Sequence, residues 1–184
     1  LLEGLRSYGF NSFVVEDIVS SLSKDSGKKF YSPTHLLIKD RTMLLISPIK
    51  KLNEERIETL IQFDDNVINE PISLRINKKS ADKFKLIASS SSAALDDNKL
   101  AYPLLLRKWK EGDWFVPLGM KNKKKLSDFF IDNKVTLLEK EKIFVLESNG
   151  DIIWVVGFRI DNRYKLTEKT KMVCTFELED GAKR

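Results

Sequence analysis

The stretch FVLESNGDIIWVVG, residues 144–157, reads as two apolar strands around Asn149–Gly150. Asn-Gly suits the positive backbone angles of a two-residue hairpin turn, so this segment fixes an antiparallel pair from local chemistry alone. Working backwards, TLLEKEKI (136–143) reads as a short helix starting at Thr136. LSDFFIDN (126–133) reads as another, capped by Ser127 or entered through Lys125, with Leu126, Phe129, Phe130 and Ile131 on its buried side. YPLLLRKW (102–109) and WFVPLG (114–119) read as strands, the second closed by Gly119, and MVCTFELE (172–179) as a last strand.

The first half is less sharply punctuated. LLEGLRSYGF (1–10) resembles the tail of a preceding helical region, implying a piece of something longer, and FVVEDIVSSL (13–22) forms a helix with Phe13, Val14, Asp17, Ile18 and Ser21 on one stripe. KFYSPTHLLIK (29–39) and TMLLISP (42–48) read as one hairpin turning at Asp40–Arg41. NEERIETLI (53–61) ends as a strand, ISLRIN (72–77) and FKLIAS (84–89) are short strands, and SSSS (89–92) is an edge or turn. The alternation of strands and helices predicts an α+β fold of small antiparallel sheets packed with short helices. Two regions are expected, 1–98 and 99–184.

Composition narrows the function. The 184 residues are 42% hydrophobic and 32% charged, as in a globular chain. There is no signal peptide pattern or apolar run of membrane-spanning length, which predicts a cytoplasmic protein without a membrane partner. Cys174 is the only cysteine, which excludes an internal disulfide and a cysteine-built zinc site. His35, the only histidine, reads as structural and has no evident nucleophile partner. KDSGKKFYS (24–32) lacks the first glycine of a phosphate-binding loop, and Lys28 is followed by Lys29 instead of Ser or Thr. No catalytic residue and no metal ligand set is therefore assigned, and no cofactor is expected to bind this chain.

The positive charge is concentrated. Of the formal +5, residues 1–100 carry +1 and residues 101–184 carry +4. Arg107, Lys108 and Lys110 precede the GDWFVPLG segment, Lys121, Lys123, Lys124 and Lys125 follow it, and Arg159, Arg163 and Lys165 lie in GFRIDNRYK. Folding the segment back would unite the first two groups. Such a cluster suits a polyanion better than a ligand with one phosphate, and lysines at a helix start would welcome an anion there. A solvated loop is the competing reading. Trp109 and Trp114 are candidate stacking platforms for unpaired bases, although their apolar flanks favour the core.

PLLLRKWKEGDWFVPLGMKNKKKLSDFFID (103–132) followed by GDIIWVVGFRIDNRYK (150–165) resembles the C-terminal domain of the bacterial tRNA(Ile)-lysidine synthetase family. SGKKFYSPTHLLIKDRTMLLI (26–46) resembles the segment joining that family's helical middle domain to its C-terminal part. The resemblance implies a region of an ATP-dependent ligase that converts the wobble cytidine of the CAU-anticodon isoleucine tRNA to lysidine. The parent would use ATP with magnesium and free lysine in an N-terminal domain whose S-G-G-x-D-S loop is not found here. This region would contact the tRNA acceptor end, with the catalytic domain of the same chain and a second copy as protein partners.

The residues that the resemblance and the charge pattern place against tRNA are Arg107, Lys110, Lys121, Lys123, Lys124, Lys125, Arg159, Arg163 and Lys165. Gly112, Asp113 and Gly119 read as turn residues, and Asp128 as a brace for its helix. Trp114 stands where the family often has arginine. A protein-interaction or scaffolding domain that positions the catalytic domain is the alternative. An independent small enzyme is a third reading, and it would need a pocket lined by carboxylates.

Overall fold

The computed structural model describes residues 2–23, 27–49, 58–85 and 89–179. The chain forms two compact units, Leu1–Glu55 with Val135–Glu141, and Arg56–Lys134 with Lys142–Arg184. This division differs from regions 1–98 and 99–184 because strands from residues 58–96 are built into the same sheets as strands from the last third of the chain.

The first unit opens with helices α1 (Leu2–Arg6) and α2 (Ser12–Ser21), followed by strands β1 (Lys29–Tyr31), β2 (His35–Asp40) and β3 (Met43–Pro48). The Asn11 side chain starts α2 by accepting the Val14 amide at 3.0 Å. From that start the buried positions are Val15, Ile18 and Ser21, while Phe13 is exposed, so the apolar stripe is rotated from the expected one. Leu5, Phe10, Val15, Ile18 and Leu37 form the core of this unit.

The expected single hairpin is a three-stranded antiparallel sheet in the order β1-β2-β3. Its extra turn is made by Ser32, whose Oγ accepts the His35 amide at 2.9 Å and donates to the Tyr8 carbonyl at 2.7 Å. The second turn falls one residue later than expected: Asp40 ends β2 opposite Met43, and Arg41–Thr42 make the turn, with Arg41 at a φ of 50°. His35 packs edge-on to Tyr8 at 5.0 Å, and its Nδ1 lies 2.9 Å from the Thr34 hydroxyl, a structural role.

The second unit is built from two sheets. One contains β4 (Glu58–Ile61), β8 (Leu104–Lys108), β11 (Phe144–Ser148), β12 (Asp151–Val155) and β13 (Arg159–Ile160), ordered β13-β12-β11-β8-β4. The other contains β5 (Val67–Ile68), β6 (Leu74–Ser80), β7 (Ser92–Asp96) and β14 (Met172–Leu178), ordered β5-β6-β14-β7. A small ladder joins β9 (Trp114–Phe115) to β10 (Lys124–Lys125), which runs into α3 (Leu126–Asp132). Leu74, Leu95 and Phe176 of the four-stranded sheet share one core with Leu104, Leu106 and Trp154 of the five-stranded sheet.

The Asn149–Gly150 hairpin is present, with φ values of 47° and 84°. Ser92 begins β7 instead of belonging to a turn, and Phe84 and Lys85 are not in a strand; residues 86–88 of the expected strand lie outside the described residues. The helix expected from Thr136 is α4 (Leu137–Lys140), which belongs to the first unit. Thr136 and Glu139 close a capping box there.

Cys174 is fully buried on β14, with the Tyr102 hydroxyl 3.6 Å from its sulfur. Burial pushes the thiol up to about 11. Its contribution to stability is full below the ordinary thiol pKa and is lost as pH rises through the folded value. A maleimide added near neutral pH is expected to leave Cys174 unmodified in the native chain and to react on unfolding; labelling at the same rate in both states would contradict this burial.

Candidate nucleic-acid interface

The basic segment is folded back on itself, as the sequence implies. Lys124 pairs with Phe115 and Lys125 with Trp114 in the β9–β10 ladder, so residues 116–123 form a loop with Gly119 at a φ of 86°. The loop is held from below by the segment after β13. Val116 donates its amide to Asp161 Oδ2 at 2.8 Å, Leu118 to the Ile160 carbonyl at 3.0 Å, and Gly119 to the Asn162 side chain at 3.2 Å. Asn162 returns a bond to the Val116 carbonyl at 2.7 Å.

Asp161 is the hub of this anchor. Fully buried, it also accepts the Arg163 amide at 2.8 Å and the Arg163 guanidinium at 3.0 and 2.9 Å. Arg163 reaches Asp151 with its remaining nitrogen at 2.9 Å, and Tyr164 donates to the same carboxylate at 3.1 Å. The bonds from Asp161, followed by those from Asp151, raise the Arg163 pKa above its ordinary value against the opposing effect of burial. Asp161, Asn162 and Asp151 were not singled out by the sequence. The available signal was an acid two residues before Arg163 in an otherwise basic run.

Arg107 departs most from expectation. Instead of facing phosphates it is 5% exposed and bound by two carboxylates. Its guanidinium donates to both Asp113 oxygens at 2.8 and 3.0 Å and to Glu147 at 2.8 Å. Burial opposes its charge, but the bonds from Asp113 and Glu147 outweigh that and raise its pKa. Asp113 is thus more than a turn residue: it also accepts the Lys110 amide at 2.8 Å, and its carbonyl accepts the Leu126 amide at 2.9 Å, tying the start of α3 to the turn.

Pairing also changes the lysine group. Lys124 is bound to Asp132. Lys110, Lys121, Lys123, Lys125, Arg159 and Lys165 are exposed. Among the described residues, none of these six forms an ion pair with a carboxylate. Helix α3 has seven residues with Asp128 in its first turn, so the chain itself supplies the negative charge that this helix end favours. Ser127 does not cap it; the N-cap is Lys125, without a side-chain bond. Leu126, Phe129 and Phe130 are buried as expected, but Ile131 is exposed.

The two tryptophans separate. Trp109 packs edge-on to Phe130 at 5.0 Å, on the aromatic cluster that includes Phe129 and Phe158. Trp114 is half-buried, with Lys123 Nζ 3.6 Å from its ring centroid and the Arg163 guanidinium 5.2 Å away. An exposed cation–π contact of this kind contributes roughly 0.5–1 kcal/mol. Leu118 and Met120, at the tip of the same loop, are 41% and 44% exposed.

A shallow cleft beside α3 is lined by Ser90, Phe129, Asn133, Gly157, Phe158 and Arg159, a set with no carboxylate. Among the described residues, no group of three or more His, Cys, Asp or Glu side chains is placed to hold a metal ion. No described helix is long and apolar enough to cross a membrane.

Comparison with known proteins matches residues 1–49 to the TilS substrate binding domain and residues 104–176 to the TilS substrate C-terminal domain. The tRNA(Ile)-lysidine synthase of Parabacteroides distasonis is 45% identical over 174 residues, covering 94% of this chain and 39% of the relative. That of Bacteroides thetaiotaomicron is 33% identical over 178 residues, covering 97% of this chain and 39% of the relative. The chain therefore spans about two-fifths of the length of these curated relatives. A crystal structure of a TilS C-terminal domain superposes with a TM-score of 0.51 at 19% identity, covering 65% of this chain and 88% of that one, a likeness of fold.

Proposed function

This chain belongs to the tRNA(Ile)-lysidine synthase family, corresponding to its C-terminal portion, and from that premise we propose that it is the tRNA-docking region of the parent ligase. The parent converts the wobble cytidine of the CAU-anticodon isoleucine tRNA to lysidine in the cytoplasm, using ATP with magnesium and free lysine. Catalysis resides in another region of the parent chain, and this region alone is inactive. It holds the acceptor end of the tRNA and works beside the catalytic domain, with a second copy as a further partner.

The observation that carries this reading is the anchored loop. Carboxylates of the chain take Arg107, Arg163 and Lys124, yet Lys121, Lys123 and Lys125 are exposed and form no ion pair among the described residues, on or beside a loop whose backbone Asp161 ties at Val116. A hydrogen-bonded frame presenting exposed cations suits backbone contacts to a folded RNA, which position without reading sequence. Arg159, Lys110 and Lys165 extend the set of exposed cations. Arg107 belongs to the frame.

The test is the affinity for the isoleucine tRNA across a salt series, for the parent chain and for a Lys121→Ala, Lys123→Ala, Lys125→Ala variant. Each neutralised phosphate contributes a slope of roughly 0.7–0.9 in log affinity against log salt, so the variant should show a slope shallower by about 2. A second reading, a scaffolding surface, draws on the exposed Leu118, Met120 and Ile131. It takes the lead if parent and variant bind identically at every salt concentration, or if neither binds.

A further inference from the structure

We propose that Trp114 is a capped stacking platform for an unpaired nucleobase, with Lys123 as the cap. This rests on the docking role above and adds to it a second kind of contact, to a base instead of a phosphate. Of the three tryptophans, Trp154 is 1% exposed and belongs to the core, and Trp109 packs edge-on against Phe130. Trp114 combines partial exposure with a ring approached by Lys123 of the basic loop and by Arg163 of the segment that anchors it.

The two cations differ in how firmly they are held. Arg163 is fixed by Asp161 and Asp151 and braces the indole. Lys123 is exposed, with its ammonium 3.6 Å from the ring centroid, and forms no ion pair among the described residues. A lysine head on a four-carbon stem leaves such a contact easily and is better satisfied by a phosphate. A strand whose phosphate draws Lys123 away therefore uncovers the ring for the adjoining base, and base stacking on tryptophan is the stronger contact. The backbone below does not need to move: Trp114 is paired with Lys125, and Val116 is held by Asp161.

The chemistry of the partner follows. A fully paired helix offers phosphates but keeps its bases stacked on one another, so the platform selects nucleic acid with an unpaired end or bulge.

The experiment measures binding of an oligo(A) strand of about eight nucleotides, a length within the usual site size, and of a blunt RNA duplex of that length, each across a salt series. Trp114→Leu, Trp114→Phe and Lys123→Gln variants are compared with the parent chain. Trp114→Leu should lose roughly tenfold for the single strand at every salt concentration, with an unchanged slope, because stacking releases no counterions. Trp114→Phe should keep most of the affinity, Lys123→Gln should lower the slope by about 0.7 while binding persists at high salt, and none should alter duplex binding by more than the lysine term. Equal affinity of parent and Trp114→Leu overturns the platform. So does a drop in slope with Trp114→Leu, which would mean that the loop itself had collapsed. In either case salt-dependent tRNA binding by the parent leaves the docking reading standing. A parent chain that binds neither RNA at any salt concentration removes both.

Discussion

Replacing Arg107 with alanine is expected to cost the chain about 3 kcal/mol of stability, because it strands the largely buried carboxylates of Asp113 and Glu147 without their cation. The guanidinium makes a bidentate pair with Asp113, a geometry that lysine cannot reproduce, so Arg107→Lys should recover only part of the loss. Removing the carboxylates too should be milder than the single changes suggest. In a cycle of Arg107→Met, Asp113→Ala and the double variant, the double should fall well short of the sum of the singles. Denaturant midpoints provide the measurement. An unchanged midpoint for Arg107→Ala would mean that the buried pair does not hold the β8 end of the sheet, and a flattened tRNA salt slope without destabilisation would return Arg107 to the RNA surface.

That residue also shows where sequence reasoning lost its way. Adding Arg107 to the positive cluster treats charge as additive along the chain. Once β8 and β11 are paired, residue 107 lies opposite Val145 and its side chain meets Glu147, a partner forty positions away. The same is true of Lys124, whose partner is Asp132 at the far end of α3, and of Arg163, answered by Asp151 at the start of β12. Net charge in a window counts side chains; which of them still face water is decided by the fold.

What was legible is what short-range chemistry controls. The Asn149–Gly150 turn, the helix start at Thr136 and the apolar side of α3 up to Phe130 each depend on residues within four positions of one another. The extra turn after β1 was missed because a single serine, through contacts to His35 and Tyr8, breaks what its apolar neighbours present as one strand. Strand β7 was missed because Ser92, Ala93 and Ala94 have weak strand preference and gain their place by pairing with Glu177, Phe176 and Thr175 of β14. Ile131 shows the converse error, an apolar residue counted into the stripe although it stands one position past the i, i+3, i+4 face of Leu126, Phe129 and Phe130 and so turns outward.

Asp161 was invisible in the sequence, and its replacement should have the other large effect. Asp161→Asn keeps the shape but exchanges an acceptor oxygen for a donor facing groups that are themselves donors, the Val116 amide and the Arg163 guanidinium. At least one buried donor is left without a partner, and the carboxylate's ion pair is lost. A cost of about 3 kcal/mol follows from those two penalties. Part of the Arg163 contribution is discounted because its side chain is 35% exposed and can turn to water or lean more heavily on Asp151.

The damage should be local. Hydrogen exchange is expected to accelerate at Val116, Leu118, Gly119 and Asn162, whose amides are tied into this anchor, while the Phe144–Val155 hairpin stays protected at temperatures below unfolding. RNA affinity should fall with the loosened loop, since Lys121 and Lys123 lose the fixed frame that presents them together. The salt slope should remain near that of the parent, because the number of cations is unchanged. Uniform acceleration of exchange across both sheets would make Asp161 an ordinary core residue. Unaltered exchange at Val116 would show that the loop is held by its backbone bonds to Ile160 and Asn162 without the carboxylate.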